Sequence, residues 1–319
     1  MPESPELSAA VMTVVDSDDS FKAKIQYLAR DEQHRLVKPY YLHFNYESDI
    51  PPTNTSPDDR IVHIRNARNL QIPSREMFLQ KGFTQLHLDC SLTPEEYCDD
   101  KKVEEVLYPK YKSAARHLFP NAARIEVLEH AVSERPDRLK IKHFGMLTCG
   151  NQVRKRHPLW LSESLERHEL NTNQPSDYVH IDMTASSAAK CSIKHFNISP
   201  KSYSRFVVVN LWKPIRGPVY DFPLTVCDRS TVDYESQATA MDIVTSNYLN
   251  ENTRIYFDGS HKWYYWHGLQ ADEVIAFVQA DSQEENRAGV PHTAFYDARN
   301  TNETQLRESI EARVFVYFD

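Results

Sequence analysis

The run Phe206-Val207-Val208-Val209-Asn210-Leu211-Trp212 has the apolar, β-branched composition of a buried β-strand. Other short β-rich segments lie on either side of it, with turn residues rather than helices between most of them. They are Lys38 to Tyr46, Arg60 to Ile64, Ile125 to Val132, Arg254 to Phe257, Lys262 to Trp266, Glu273 to Val278 and Ser309 to Phe318. This order favours an antiparallel sandwich or barrel, so we expect a mainly β fold with flanking helices, a jelly roll.

One helical region stands out among the strands. Thr93-Pro94-Glu95-Glu96 places Thr at the N-cap, Pro at the first helical position and Glu at the third, which is a capping box. Apolar residues then recur every three or four positions from Val103 to Leu118. We expect Pro109 to kink or split this helix, Pro120 to end it, and its apolar face to pack outside a sheet.

The composition is that of a folded, mildly acidic protein. The 319 residues include 37 Lys+Arg and 45 Asp+Glu, for a formal net charge of −8, and 40% are hydrophobic. A chain of this length can bury a large core. We expect one domain over residues 1–319, of which residues 1–37 are a partly flexible extension. Net negative charge gives no electrostatic reason to bind nucleic acid.

Several other protein classes are disfavoured. We expect no membrane association, because no stretch reaches the roughly 20 apolar residues of a membrane span, and no secretory signal, because Met1 to Asp19 lacks a basic start and an apolar core. An odd number of cysteines (5) without a CxxC pair fits a reduced, cytoplasmic protein. The glycines form neither GxGxxG nor GxSxG, which disfavours dinucleotide-binding and α/β-hydrolase folds.

Tyr178-Val179-His180-Ile181-Asp182 carries the chemistry that we consider strongest. On a strand, His180 and Asp182 point to the same face, about 6–7 Å apart along the backbone, and can chelate one ion. With a second histidine they form a facial triad of two imidazoles and one carboxylate, which leaves iron(II) open positions for a bidentate oxo-acid and dioxygen. The motif alone is weak, because His87-Leu88-Asp89 has the same spacing.

The C-terminal region supplies the remaining parts of such a site. Pro291-His292-Thr293 offers the second imidazole, and Arg307 follows on what we expect to be the next strand. A planar guanidinium there can bind the distal carboxylate of an oxo-acid in a bidentate ion pair, aided by Ser309. Arg313 is the alternative anchor, on the same strand face but about 20 Å further along.

Four segments resemble the mostly fungal hydroxylase/desaturase family, related to gibberellin desaturase and to the cephalosporin methoxylase accessory protein. They are Phe206 to Val219 continuing through Asp221 to Asp228, Pro291 to Phe295 with Asp297, Arg307 to Arg313, and Val179 to Thr184. Pro51 to Asn54 resembles a further N-terminal feature. Met183 departs from the family pattern, in which an acidic or amide residue is usual.

The resemblance implies a cupin-like double-stranded β-helix with Fe(II), 2-oxoglutarate as cosubstrate and dioxygen. It favours His180, Asp182 and His292 as the iron ligands over the motif at His87. It also implies that the substrate is a small-molecule intermediate of specialised metabolism, which is hydroxylated, desaturated or cyclised.

Two alternatives stay open from the sequence. The first is a metal-dependent oxygenase or isomerase that does not use 2-oxoglutarate. The second is a non-catalytic accessory protein on the same scaffold, because fold does not determine function. For the substrate pocket we expect at least one of Trp212, Tyr264 and Trp266 to act as an aromatic wall, although aromatic runs are more often core.

Overall fold

The computed structural model describes residues 20–42, 50–134, 147–148, 153–154, 176, 178–244, 249–284, 289–300 and 306–319. Its strands are β1 (Ser20–Leu28), β2 (Tyr40–Leu42), β3 (Pro57–Asn66), β4 (Phe83–His87), β5 (Arg124–Glu134), β6 (Leu147–Thr148), β7 (Val153–Arg154), β8 (His180–Ile181), β9 (Arg205–Pro214), β10 (Leu224–Cys227), β11 (Ala238–Val244), β12 (Leu249–Ile255), β13 (Trp263–Tyr265), β14 (Glu273–Asp281), β15 (His292–Ala294) and β16 (Glu308–Phe318). Its α-helices are α1 (Ser74–Lys81), α2 (Asp100–Leu118), α3 (Ala185–Phe196) and α4 (Tyr234–Gln237).

Two sheets form the body of the described fold. The larger has nine strands in the order β1-β3-β13-β10-β15-β8-β12-β11-β2, and the smaller has five in the order β4-β14-β9-β16-β5. Most neighbours are antiparallel, and the exceptions are β2 with β11 and β3 with β13. Strands close in sequence are often far apart in this order, which is the winding of a double-stranded β-helix. The predicted jelly-roll fold is confirmed.

The larger sheet curls back on itself. The Val179 N–H donates to the Gln26 carbonyl at 2.7 Å, which joins β1 to the residues just before β8. Phe21, Ile25 and Tyr27 of β1 therefore pack in the same cluster as Trp263 and other residues of the opposite part of the sheet. The predicted extension over residues 1–37 thus contains a buried core strand, whereas residues 1–19 lie outside the described residues.

Alternate residues of one strand face opposite sides of its sheet, because side chains alternate with a period of two. On β16, Ile310, Ala312, Val314 and Val316 belong to the main apolar core beneath the helices. The residues between them, from Arg307 through Ser309 and Glu311 to Arg313, point the other way, toward the space between the two sheets. This polar face meets His180 and His292 of the larger sheet.

Helix α2 covers the smaller sheet, as predicted. Its buried residues are Val103, Leu107, Tyr111, Ala115 and Leu118. The predicted split at Pro109 is wrong, because Pro109 lies within one continuous helix. The chain instead changes at Asp99, where a 3₁₀ turn (Pro94–Cys98) begun at Thr93 gives way to α2 and the Asp99 carboxylate accepts from the Lys102 N–H. The Thr93 N–H donates to Glu96 at 2.9 Å, as expected of a capping box.

The predicted strands differ from the observed ones mainly at their ends. β12 ends at Ile255, so it shares only two residues with the strand predicted from Arg254 to Phe257. β2 covers Tyr40–Leu42, and residues 43–46 of the strand predicted from Lys38 to Tyr46 lie outside the described residues. β1, β4, β6, β7, β10 and β11 have no counterpart among the predicted strands, whereas β8 and β15 correspond to the strands expected at His180 and His292. Across the part of the chain that the structure describes, no helix is long and apolar enough to cross a membrane.

Candidate metal centre and cosubstrate site

Three side chains of the two predicted iron motifs converge in the space between the sheets. β8 and β15 are neighbours, with His292 directly opposite His180, and their ring centroids are 4.3 Å apart. His180 Nε2 lies 3.2 Å and His292 Nε2 3.8 Å from Asp182 Oδ1. The three potential ligand atoms are all within 4.8 Å of one another, and the described residues contain no other such cluster.

Both imidazoles are held in the same orientation by backbone carbonyls. His180 Nδ1 lies 2.7 Å from the Tyr178 carbonyl, and His292 Nδ1 lies 3.1 Å from the Val290 carbonyl. A carbonyl oxygen can only accept, so each Nδ1 carries a hydrogen and each Nε2 faces Asp182, where it offers a lone pair in the neutral form of the ring. Lone pairs and a carboxylate that face one another repel unless a cation lies between them, so this donor set fits a divalent metal ion.

The electrostatics of the three groups agree with that assignment. Burial, together with the neighbouring His180, lowers the pKa of His292 to about 3, so its ring is neutral. Burial by itself would raise the pKa of Asp182, but the two histidines and Arg313 hold it well below its usual value. The site therefore presents one carboxylate and a neutral imidazole, the protonation states that metal binding requires.

Two buried amide side chains hold Asp182 from the smaller sheet. Asn210 Nδ2 donates to Asp182 Oδ2 at 2.7 Å, and the Asp182 N–H donates to Gln279 Oε1 at 2.8 Å. Both amides are fully buried. The Asn210 bond occupies Oδ2 and leaves Oδ1, the oxygen nearest the two imidazoles, to bind a metal. Outer hydrogen bonds of this kind orient a metal ligand.

A β-bulge directs Gln279 toward Asp182. The pairing of β14 with β9 shifts between Val278 and Ala280, so Gln279 is the extra residue of the bulge. Such bulges turn a side chain away from the regular alternation of a strand. Gly289 makes room for it, because a Cβ at that position would lie 2.4 Å from the Gln279 backbone.

Arg307 and Ser309 lie at the other end of the polar face of β16. The Arg307 guanidinium donates from Nη1 to the Phe222 carbonyl at 2.8 Å, and the Arg307 N–H donates to Asp221 Oδ2 at 3.0 Å. Burial lowers the pKa of Arg307 to about 10. Ser309 Oγ is buried with no hydrogen-bond partner among the described residues. A buried cation beside such a hydroxyl suits the carboxylate of an oxo-acid.

Arg313 has different neighbours. Its Nη1 donates to Glu129 Oε1 at 3.2 Å, and its Nε lies 3.8 Å from Asp182 Oδ2. Arg313 therefore lies at the metal end of the face, where acidic groups already compensate its charge. Glu311 lies between the two arginines, and burial together with the charge of Asp182 raises its pKa to about 7.

The three aromatic residues predicted to line the pocket lie in two places. The Trp212 ring is 5.4 Å from the Arg307 guanidinium carbon, next to the candidate cosubstrate site. Tyr264 and Trp266 both pack against Phe83 of β4, with ring centroids 5.7 and 5.8 Å from it. All three are buried. Tyr264 lies on the same sheet face as His292, two strands away across Val226, and the role of the three residues in the substrate pocket stays a prediction.

The second HxD motif lies elsewhere. His87 ends β4 with its side chain exposed, and its Nδ1 is 3.6 Å from Asp272 Oδ2. Asp89 is also exposed. Neither residue approaches the cluster of His180, Asp182 and His292, which leaves this motif as a feature of the surface.

Two site residues were missed by reasoning from the sequence. Gln279 interrupts the otherwise apolar strand Ile275-Ala276-Phe277-Val278, and Arg254 is a charged residue within a strand. A polar residue at a position that the strand pattern buries is a usable signal. Asn210 gives the same signal within its valine-rich run.

Comparisons with known proteins agree with this geometry. The chain matches the family described as "Oxidoreductase/YMDC permease-like domain" over residues 25–317. It is 37% identical over 122 residues to Aspirochlorine biosynthesis protein N of Aspergillus oryzae, covering 36% of this chain and 49% of the relative. It is 26% identical over 252 residues to the alpha-ketoglutarate-dependent dioxygenase phiK of a fungal species, covering 77% of this chain and 81% of the relative.

A solved structure shares the fold. The iron and alpha-ketoglutarate-dependent endoperoxidase NvfI superposes with a TM-score of 0.72 at 18% identity, covering 95% of this chain and 99% of that chain. The chain spans about half the length of several curated relatives that it matches, 49% and 54% for two of them. Since the family match extends over residues 25–317, the chain belongs to this oxidoreductase family, among relatives that include fungal hydroxylase/desaturase proteins.

Proposed function

We propose that this protein is an Fe(II)- and 2-oxoglutarate-dependent oxygenase that oxidises a small-molecule intermediate of fungal specialised metabolism. The observation that carries the proposal is the orientation of the triad, with a carboxylate and two carbonyl-anchored imidazoles directed at one point. The names of the relatives support it, since one is a dioxygenase that depends on alpha-ketoglutarate and others are hydroxylase/desaturase proteins. In this proposal the chain forms one catalytic domain.

Each residue has a distinct part in binding. His180 Nε2, Asp182 Oδ1 and His292 Nε2 hold the iron, and Asn210 and Gln279 keep the carboxylate in place. Arg307 and Ser309 bind the distal carboxylate of 2-oxoglutarate. The bound iron and cosubstrate supply the oxidising power, by oxidative decarboxylation of 2-oxoglutarate to succinate and CO₂ with dioxygen.

The surroundings keep the site dry on one side. The Phe277 ring lies 4.7 Å from the His292 ring, and both residues are buried. Trp212 shields the approach to Arg307 in the same way. Exclusion of water strengthens the ion pair to the cosubstrate and protects the reaction from side products.

The test is an anaerobic titration of the purified protein with Fe(II) and then 2-oxoglutarate. A weak visible charge-transfer band that appears only when both are present supports the proposal. Iron binding without such a band, with oxidation independent of the oxo-acid, would indicate an oxygenase or isomerase that needs no 2-oxoglutarate. Absence of metal binding would indicate a non-catalytic accessory protein.

A further inference from the structure

A second buried guanidinium lies beside the metal ligands, on the opposite side from Arg307. Arg254 of β12 is directly opposite His180 of β8 in the antiparallel register. Residues paired in this way have Cβ atoms about 4.5–5.5 Å apart and side chains on the same face. Arg254 therefore points into the same space between the sheets as the iron ligands.

The arrangement of strands separates the two arginines. β10, β15, β8 and β12 follow one another in the larger sheet, and Arg307 contacts Phe222 just before β10. Three strand spacings amount to about 14 Å, so the two guanidinium groups approach the triad from opposite sides. If the Arg307 side takes the oxo-acid, the Arg254 side is left for the organic substrate.

The contacts of Arg254 hold its guanidinium in place but do not compensate its positive charge. Its guanidinium lies 4.6 Å from the Tyr178 ring centroid, and its Nε donates to Met241 Sδ at 3.2 Å. The Tyr178 hydroxyl is itself tied to the Ser56 carbonyl at 2.9 Å. Within the described residues, Arg254 forms no ion pair. Burial lowers its pKa to about 10, which reflects the cost of a charge held in this position.

Two polar atoms on this face of β12 lack partners in the described part of the chain. They are Arg254 Nη1 and Asn252 Oδ1, both buried. Asn252 lies two residues before Arg254, so both side chains are on the same face, about 6–7 Å apart along the strand. Buried polar atoms without partners are costly, and a ligand that satisfies them removes that cost.

We propose that Arg254, with Asn252 beside it, forms a second anion-binding subsite that takes a carboxylate of the organic substrate. The inference rests on the proposed function, because it assigns the Arg307 side to 2-oxoglutarate. The carboxylate takes the Arg254 N–H donors, and Asn252 accepts from a hydroxyl or N–H group of the same molecule. The substrate would then be a small organic acid, held so that one of its C–H bonds lies next to the iron.

The experiment measures binding of a small acid and of its matched ester. Isothermal titration calorimetry is performed anaerobically on the protein loaded with Fe(II) and saturating 2-oxoglutarate, using benzoate, cinnamate and cyclohexanecarboxylate against their methyl esters. We expect at least one acid to bind about tenfold or more tightly than its ester, a difference of about 1.4 kcal/mol. Arg254→Met should abolish this preference, and Arg254→Lys should restore part of it.

Arg60→Met is the matched control. Arg60 is exposed on β3, and its guanidinium lies 4.5 Å from the Phe257 ring, so this variant also loses one charge and one cation–π contact. It should keep the preference for the acid. Equal affinity of acid and ester in the unaltered protein, or a preference that survives in Arg254→Met, overturns the subsite.

The charge-transfer band separates failure of the subsite from failure of the proposed function. Arg254→Met should retain the band and the 2-oxoglutarate affinity of the unaltered protein. If the unaltered protein shows no band, the proposed function fails, whatever the result of the acid titration. If Arg254→Met instead loses 2-oxoglutarate binding, Arg254 anchors the cosubstrate and the proposed subsite is wrong.

Discussion

Replacing Arg307 by leucine is expected to weaken 2-oxoglutarate binding strongly while leaving iron bound. The guanidinium is buried and already oriented by the Phe222 carbonyl, so little ordering is needed when the carboxylate binds. Truncation of a buried charge pair costs about 2–5 kcal/mol, because the remaining charge is left without a partner. At 1.4 kcal/mol for each factor of ten, this corresponds to roughly 30- to 4,000-fold weaker binding.

The assay is the anaerobic charge-transfer titration, with the iron content of each variant measured separately. Arg313→Leu is the comparison, because Arg313 contacts Glu129 and approaches Asp182 instead of the Arg307 side. It should leave the 2-oxoglutarate affinity nearly unchanged. If Arg307→Leu left the affinity unchanged and Arg313→Leu lowered it, the oxo-acid would be anchored at the metal end of β16 and our assignment would be refuted.

Four further outcomes are expected. His180→Ala should abolish iron binding, measured by metal analysis after gel filtration, whereas His87→Ala should retain it. The reverse result would assign the iron to the motif at His87. Asn210→Leu should lower metal affinity about 10- to 100-fold, since it removes the hydrogen bond to Asp182 Oδ2. Asn210→Ser should recover part of that loss. Equal metal affinity in the unaltered protein and both variants would show that Asn210 does not orient Asp182. Gly289→Ala should lower the free energy of unfolding by about 1–3 kcal/mol, because its Cβ would overlap the Gln279 backbone, and an unchanged denaturation midpoint would show that the bulge adapts. Trp212→Phe should keep the fold and oxo-acid decarboxylation but raise the ratio of succinate to oxidised product, and an unchanged ratio would assign Trp212 to the core alone.

The residues that alternate along strands were predictable because strand chemistry is local. The period of two places His180 beside Asp182 and Arg307 on the face of Ser309 and Arg313, whatever the rest of the chain does. The valine-rich run at Phe206 likewise predicts a buried strand from composition alone. These features needed no information about distant parts of the chain.

The strand at residues 20–28 was missed, although its sequence carries a local strand signal. Phe21, Ala23, Ile25 and Tyr27 are buried and alternate with Lys22, Lys24 and Gln26, which is the period of two of a half-buried strand. β1 is stabilised by pairing with β3 and by a bond to the residues before β8, which are contacts between residues 29 or more positions apart. The alternation indicates a strand but not its partners, which depend on residues distant in the chain.

The sequence by itself determined which side chains are able to bind a metal and an oxo-acid, since two imidazoles, a carboxylate and a guanidinium have that chemistry in any surroundings. Only the tertiary structure decided which HxD motif meets His292, because β15 lies beside β8 and the His87 side chain is exposed at the end of β4. It also brought Asn210, Gln279 and Arg254 to the triad, from strands that are distant in the chain. Their roles depend on which strands become neighbours, and that is set by burial of the two apolar clusters as a whole and not by any local motif.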